Sequence, residues 1–223
     1  MQPKSNIAAF FDFDETIIDI NSSKVGFKWL YENKMLSIWF ILKVFITGFL
    51  YQLNLISEKR MADGMVIFYK GKKLSYFADR AEDFYRDLLK PHLVPKIVEK
   101  LKYHREQGHI VIIVSGSIRY YLEPVAKDLG IDYLVCTELE EGSDGLLTGK
   151  PDGQICLGVY KQKMTQQLVK ELNINLNESF AYGNSQADIH LLKMVGNPIA
   201  VEPNLPLKKV AEKNNWPILN YKL

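Results

Sequence analysis

The sequence contains only two cysteines, Cys136 and Cys156, and they do not form a CxxC pair. Two cysteines cannot build a disulfide framework, so we expect a reducing compartment and a cytoplasmic protein. A large excess of one charge is also missing, because 28 Lys and Arg face 26 Asp and Glu, a formal net charge of +2. An excess this small does not support a nucleic-acid partner.

We expect no basic, apolar leader of the kind that a secreted protein carries. Residues 1–6 are mostly polar, and the apolar run that follows is interrupted by Asp12 and Asp14, so we expect no secretion signal. Long apolar runs are equally scarce. The exception is the segment 36–56, whose 21 residues include Lys43 as the only charge and are long enough to cross a bilayer.

From about residue 93 onwards, short apolar runs alternate with helical patterns. The run 109–114 is continuously apolar, which is typical of a strand buried on both faces. Similar runs lie at 7–11, 133–136, 179–182 and 198–201, with helical periodicity at 95–107, 118–129, 160–172 and 187–195. Five strands separated by helices predict an α/β fold with a parallel sheet. The Gly-rich and charged segment 138–158 predicts a loop or hairpin.

Residues 20–90 interrupt this alternation. They are aromatic-rich and helical in pattern, with almost no strand signals, so we interpret them as a helical insertion after the first strand. The predicted domains are a core formed by 1–19 and 91–223 and a second domain formed by 20–90.

Polar residues follow three of the predicted strands, where parallel α/β sheets bind ligands. They are Asp12, Asp14 and Thr16 after the first strand, Ser115, Gly116 and Ser117 after the second, and Asn184 and Asp188 after the fourth. Clustered carboxylates repel one another unless a cation binds, and a hard oxygen site suits Mg²⁺. The Ser115–Ser117 turn at a helix start predicts an anion site. With a nearby lysine, these are the components of phosphoryl transfer, in which a carboxylate can be the nucleophile.

In order and spacing these residues resemble the four motifs of the haloacid dehalogenase superfamily. The segment 12–16 (DFDET) is similar to DxDx[TV], Ser115 to the second motif, and the segment 183–188 (GNSQAD) to GDxxxD. Lys161 is identified as the lysine of the third motif, with Lys163 as its competitor. The helical insertion resembles the type-one (C1) cap of subfamily IB, the phosphoserine-phosphatase-like branch. The resemblance therefore implies a Rossmann-like parallel sheet core with a helical cap after the first strand.

The resemblance also implies roles for the individual residues. Asp12 is expected to attack phosphorus and to bind Mg²⁺, and Asp14 to act as acid and then base, with its main-chain carbonyl on the metal. Thr16 is expected to orient the loop. Ser115, Gly116 and Lys161 are expected to bind the phosphoryl oxygens, and Asn184 and Asp188 to complete the metal site.

Two positions depart from the family pattern. Asn184 stands where an Asp is usual, which removes one negative charge and predicts weaker Mg²⁺ affinity. Asn21 stands where phosphoserine phosphatases carry the Glu that binds the substrate ammonium, which argues against phosphoserine as the substrate.

The predicted function is Mg²⁺-dependent hydrolysis of a small organic phosphomonoester through an aspartyl-phosphate intermediate. One alternative is a lipid-phosphate phosphatase, of the lysophospholipid or phosphatidylglycerophosphate type. Another is a catalytically silent phosphate-binding or scaffolding relative, which only Asn184 favours.

The apolar segment 36–56 leaves three interpretations open. A single membrane span would place Asp12 and Ser115 on opposite sides of the membrane, so we expect none. A cap helix packed on its neighbours is favoured over a surface that contacts lipid or a bilayer. A dimer interface is the third interpretation, and the sequence leaves the oligomeric state open.

Overall fold

The computed structural model describes residues 6–53, 55, 56, 60, 64 and 66–222. The predicted domain ranges 1–19, 20–90 and 91–223 therefore include positions outside the described residues, namely 1–5, 54, 57–59, 61–63, 65 and 223. Of Tyr51 and Gln52 the structure describes the backbone.

A six-stranded sheet forms the centre of the molecule, and all its neighbouring strands are parallel. Its strands are β1 (Ala8–Phe11), β2 (Ile110–Ile118), β3 (Tyr133–Thr137), β6 (Phe180–Gly183), β7 (Asn197–Val201) and β8 (Ile218–Leu219), and their order in the sheet is β3-β2-β1-β6-β7-β8. A separate antiparallel hairpin joins β4 (Leu139–Glu141) to β5 (Leu147–Pro151). The parallel α/β fold predicted from the sequence is confirmed.

Helices cover the sheet and form the insertion. Among the described residues, the named helices are α1 (Ser22–Glu32), α2 (Ile38–Gln52), α3 (Ser75–Ala78), α4 (Ala81–Phe84), α5 (Pro95–Glu106), α6 (Arg119–Leu129), α7 (Val159–Glu171), α8 (Ile189–Leu192) and α9 (Leu205–Lys213). Short 3₁₀ or π turns occupy Phe13–Ile17, Ile67–Tyr69, Tyr85–Leu89, Lys90–His92 and Gln186–Asp188.

Strand β1 lies near the middle of the sheet, between β2 and β6, and all four of its side chains are buried. Successive side chains of a strand point to opposite faces. Accordingly, Ala9 and Phe11 pack in the hydrophobic cluster on one face, and Ala8 and Phe10 in the cluster on the other. A strand buried on both faces has no room for a charge, so the first carboxylate appears directly after its end, at Asp12.

The structure differs from the sequence-based prediction at the end of one strand and in one additional strand. Strand β2 continues to Ile118 instead of ending at Val114, with a register shift against β3 between Ser115 and Ile118. The predicted anion site at a helix start is therefore wrong in its local structure, because the Ser115–Ser117 segment belongs to an irregular strand end and α6 begins at Arg119. Strand β8 was not predicted, since its two residues are too few for a periodic pattern.

The segment between β1 and β2 is helical, as predicted, and β-pairing within its described residues is limited to an isolated bridge between Ile18 and Leu93. Leu30 and Phe77 of this segment are buried together with Tyr120 of α6 and Leu147 of β5. The insertion therefore shares a hydrophobic cluster with the edge of the core that carries α6 and the hairpin.

The apolar segment 36–56 forms one helix, α2, of 15 residues. Phe40 and Ile41 pack against the cluster of the insertion, while Trp39, Phe45 and Phe49 are exposed. The favoured interpretation, a helix packed on its neighbours, thus holds for one side of α2 only. Asn54 and the side chain of Tyr51 lie outside the described residues. Across the part of the chain that the structure describes, no helix combines the length and apolarity needed to cross a membrane.

Candidate active site

The predicted site residues gather at the carboxyl ends of β1, β2 and β6, which are neighbours in the sheet. The main-chain N–H of Asp12 donates to the carbonyl of Tyr182 on β6, at 2.9 Å. On the other side, Phe11 pairs with Ile113 of β2, so Ser115 lies at the same edge. The sheet thereby brings the first, second and fourth motifs together, because parallel neighbours end on the same side.

Lys161, on α7, joins the first and fourth motifs. Its Nζ donates to Asp12 Oδ1 at 2.5 Å and to Asp188 Oδ1 at 2.6 Å, and all three side chains are buried. The competitor Lys163 is exposed, with its Nζ 5.4 Å from the ring centroid of Tyr160. The structure therefore places Lys161, and not Lys163, between the carboxylates.

The site carries more negative than positive charge. Burial, followed by the nearby charge of Asp188, raises the pKa of Asp12 to about 7, although Lys161 opposes this rise. Burial also raises the pKa of Asp14. Burial disfavours the charged form of Lys161, but the Asp12 and Asp188 carboxylates outweigh it and raise the pKa of the lysine. One buried ammonium thus serves several carboxylates, a shortage that a divalent cation would relieve.

Asp14 is held by two serines. Its Oδ1 accepts from the main-chain N–H of Ser22 at 2.5 Å, and its Oδ2 accepts from Ser117 Oγ at 3.2 Å. The two hydroxyl oxygens lie 3.2 Å apart. Since Ser22 begins α1, this contact links the insertion to the core directly at Asp14. Sequence patterns did not single out Ser22, which lies in no motif.

Ser115 and Gly116 lie beside this group on β2. The Ser115 Oγ is buried and accepts from the main-chain N–H of Ser117 at 3.1 Å. The carbonyl of Gly116 accepts from Thr137 Oγ1 at 2.8 Å. A Cβ at Gly116 would lie 2.7 Å from Leu157 Cδ2, so glycine permits the close approach of the segment before α7.

Asp188 is oriented by its own turn. Its Oδ2 accepts from the main-chain N–H of Asn184 at 3.2 Å and from both the N–H and the Oγ of Ser185, each at 3.0 Å. A Cβ on Gly183 would lie 2.6 Å from the Cβ of Asp188. Glycine at the first position of the fourth motif is thus required by the close packing of the carboxylate at its last position.

Asn184 contacts a residue that the sequence patterns did not single out. Its Nδ2 donates to Glu15 Oε2 at 3.1 Å. Glu15 has a φ of +55°, in the left-handed region, and its carbonyl accepts from Tyr221 Oη at 3.2 Å. Glu15 occupies a variable position of the first motif, and its charge at the sheet edge was the only available signal. Asn21, the other departure from the family, accepts from Lys24 N at 3.1 Å and caps α1.

The donor set suits a hard cation. Asp12, Asp188, the Asn184 amide and the Asp14 carbonyl offer oxygen atoms only, which is the ligand type that Mg²⁺ prefers. Because Asn184 Nδ2 is engaged by Glu15, the oxygen is the atom that the amide offers. Within the described ranges, no group of three or more His, Cys, Asp and Glu side chains is arranged to hold a metal ion.

Comparisons with known proteins agree with this geometry. Residues 9–193 match the family model described as haloacid dehalogenase-like hydrolase. A histidinol-phosphatase of Neisseria meningitidis serogroup C (strain 8013) is 28% identical over 167 residues, which cover 72% of this chain and 75% of that protein.

Two solved structures share the fold. A protein with unknown function from Bordetella pertussis Tohama I has a TM-score of 0.87 at 22% identity, covering 96% of this chain and 98% of that one. A substrate-bound phosphoserine phosphatase has a TM-score of 0.69 at 20% identity, and the match covers 97% of this chain and 93% of that one. Together with the family match, these likenesses confirm the resemblance that the motifs predicted.

Proposed function

The chain belongs to the haloacid dehalogenase-like hydrolase family and is a phosphoric monoester hydrolase, and from this premise we propose its substrate and mechanism. We propose that it hydrolyses a small organic phosphomonoester through a phosphoryl intermediate on Asp12. The observation that carries the proposal is the buried contact of Asp12 with Lys161, next to Asp14, a second carboxyl with a raised pKa.

In the first step, a carboxylate oxygen of Asp12 attacks phosphorus and the bond to the ester oxygen breaks. Asp14 gives its proton to the leaving oxygen, and its raised pKa favours the protonated form that this step needs. The products are an acyl phosphate on Asp12 and the free alcohol.

In the second step, Asp14, now a carboxylate, takes a proton from water, and the water oxygen attacks phosphorus. The bond to Asp12 breaks, inorganic phosphate leaves, and both carboxyl groups return to their starting states. The hydrogen bonds from Ser22 and Ser117 hold Asp14 in one position for both proton transfers.

The remaining residues stabilise charge on the phosphoryl oxygens. Lys161 supplies a buried positive charge, and Ser115 and Gly116 supply donors from the end of β2. Phosphatases of this family generally use Mg²⁺, which would be held by Asp12, the Asp14 carbonyl, Asn184 and Asp188. When bound, it adds positive charge beside the reacting phosphate.

The proposal includes the division into a core (1–19 and 91–223) and a cap (20–90). It is supported by the helices that occupy the described residues between β1 and β2, although Phe84, Tyr85 and Leu89 of this range pack in a cluster that flanks the sheet. We also propose a cytoplasmic location, which the free, buried thiols of Cys136 and Cys156 support.

The direct test is release of inorganic phosphate. We expect the wild type to hydrolyse p-nitrophenyl phosphate with Mg²⁺ and to lose this activity in EDTA. A panel of histidinol phosphate, phosphoserine, sugar phosphates and lysophosphatidic acid then separates the substrate classes. Phosphate release from lysophosphatidic acid alone would replace the proposed substrate class with a lipid phosphate, and no release from any compound would contradict the proposal.

Magnesium affinity is expected to depend on Asn184 and Glu15. In Asn184→Asp we expect Mg²⁺ to bind roughly 10-fold more tightly, because a carboxylate replaces a neutral ligand. The metal-free variant should be less stable than the wild type, since the new charge lies beside Glu15 and Asp188. In Glu15→Gln we expect Mg²⁺ affinity to fall a few-fold, because a charge next to the metal ligands is lost.

The measurement is the melting temperature against Mg²⁺ concentration, which does not require turnover. Glu99→Gln, on the exposed side of α5, is the matched control and should leave the curve unchanged. Equal Mg²⁺ curves for wild type and Asn184→Asp would place the metal away from residue 184.

A further inference from the structure

Helix α2 presents an apolar face to the outside of the molecule. The exposed fractions are 77% for Trp39, 71% for Phe45, 59% for Ile46 and 60% for Phe49. These positions follow the three- and four-residue spacing of one helix face. The opposite side is fixed, because the ring of Phe40 lies 6.4 Å from Phe27 and 5.5 Å from Phe68.

The size of this exposed apolar face indicates an interaction surface. Scattered surface apolar residues are normal, but a contiguous patch of large aromatic and aliphatic side chains marks an interaction surface. The face also includes Ile38, Leu42 and Leu53, which are exposed at 47%, 44% and 51%. The exposed apolar side chains therefore extend from Ile38 to Phe49 along the helix, with Leu53 just beyond its end.

The charge of the sequence segment that contains α2 indicates which partner fits. Residues 33–73 contain seven Lys and Arg and two Asp and Glu, a formal charge of +5. The rest of the chain then carries 21 basic and 24 acidic residues, a formal charge of −3. The positive charge of the protein is thus concentrated in the sequence that carries the apolar helix, and it complements an anionic surface.

We propose that this face of α2 docks on an anionic bilayer. A helix of 15 residues is about 22 Å long, shorter than the roughly 30 Å of a bilayer core. It therefore lies in the plane of the interface, with Trp39 and the two phenylalanines among the headgroups and acyl chains.

A second copy of the chain fits this surface less well. Pairing two α2 faces would bring together two segments that each carry +5, and like charges oppose such an interface. Anionic headgroups attract the same segment, because Lys and Arg side chains near the surface interact favourably with negative lipids. The docking is independent of the proposed catalytic chemistry, since none of its residues belongs to the active site.

Sedimentation with lipid vesicles tests the proposal. We expect the wild-type protein to bind vesicles of phosphatidylglycerol and phosphatidylcholine, to bind pure phosphatidylcholine at least ~10-fold more weakly, and to be released partly by salt. Trp39 is much more exposed than Trp29 and Trp216, so its emission should shift to the blue on binding. Absence of binding to anionic vesicles would overturn the proposal.

The variant that tests the face is Phe45→Glu with Phe49→Glu. Both side chains are exposed, so the fold should be kept, while vesicle binding should fall at least ~10-fold. The matched control is Tyr103→Glu with Leu205→Glu, which adds the same charge at exposed positions on the core and should bind as the wild type does. Light scattering completes the test, because a wild-type dimer that the α2 variant converts to monomers would assign the face to a second copy and overturn the proposal.

Discussion

Asp12→Asn is expected to lower turnover of p-nitrophenyl phosphate at least ~1,000-fold while leaving the protein folded. The amide has no free carboxylate oxygen to attack phosphorus, so the phosphoryl intermediate cannot form. Lys161 keeps its contact with Asp188 at 2.6 Å, and the repulsion between Asp188 and residue 12 disappears. Folding should therefore survive, and circular dichroism and a melting curve check this alongside the rate.

Asp14→Asn is the informative partner of this variant, because it keeps the proposed nucleophile Asp12 and removes the proposed acid–base group. With p-nitrophenyl phosphate the leaving group needs little protonation, so the first step should proceed and the second should stall. Acid-quenched Asp14→Asn should then carry a phosphoryl group on the peptide that contains Asp12. For an alkyl phosphate the first step should be slow as well.

The two variants distinguish the proposed nucleophile from any other. If Asp12→Asn retains turnover within about 10-fold of the wild type, or if the phosphoryl adduct maps to another residue, Asp12 is not the nucleophile. The Mg²⁺ requirement of the wild type is measured separately, so a failed metal prediction would leave this result interpretable.

The core of the fold was predictable because its strands obey a simple physical rule. Strand β1 is buried on both faces, so its residues form an uninterrupted apolar run, and the first polar residue marks the sheet edge. The same logic located Asp12 and Asn184 from the sequence alone, and it placed Ser115 at the sheet edge although β2 continues beyond it. The lysine of the third motif was harder to assign, since Lys163 lies two residues from Lys161 on the same helix. The structure distinguishes them, because Lys161 faces the carboxylates and Lys163 is exposed.

What the sequence did not predict depends on contacts between distant segments. Ser22 reaches Asp14 because α1 returns to the sheet edge, and no local pattern encodes that return. Glu15 accepts a hydrogen bond from the side chain of Asn184, which lies 169 positions away in the chain. The end of β2 at Ile118 was missed because a register shift lets a strand continue through polar residues.

Lys161→Met is expected to have the largest effect on stability. The lysine is the shared partner of two buried carboxylates, and removing one member of a buried ionic group costs about 3–5 kcal/mol of unfolding free energy. Activity should fall as well, by at least ~100-fold, because the positive charge beside the phosphoryl oxygens is lost. The matched control is Lys163→Met on the same helix, which is exposed and should cost less than about 0.5 kcal/mol.

The pH dependence of Lys161→Met carries the sharper test. In the native protein the pKa of Asp12 is raised to about 7, so between its ordinary value near 4 and this value the native state binds more protons than the unfolded chain. The unfolding free energy therefore falls as pH rises through this window. Without the lysine the pKa of Asp12 rises further. The unfolding free energy of Lys161→Met therefore continues to fall up to a higher pH than that of the wild type.

Urea denaturation is measured in EDTA near pH 5 and near pH 8. The unfolding free energy of Lys161→Met should fall further below that of the wild type at the higher pH. Near pH 5, Asp12 is mostly protonated even in the wild type, so the lysine then balances less negative charge. Near pH 8 the variant must either bury an uncompensated carboxylate or keep it protonated, and both cost stability. If Lys161→Met loses the same unfolding free energy at both pH values, or if Lys163→Met loses more, Lys161 does not balance the charge of the site. Added Mg²⁺ should restore part of the stability, because a cation bound among the same carboxylates replaces the missing positive charge.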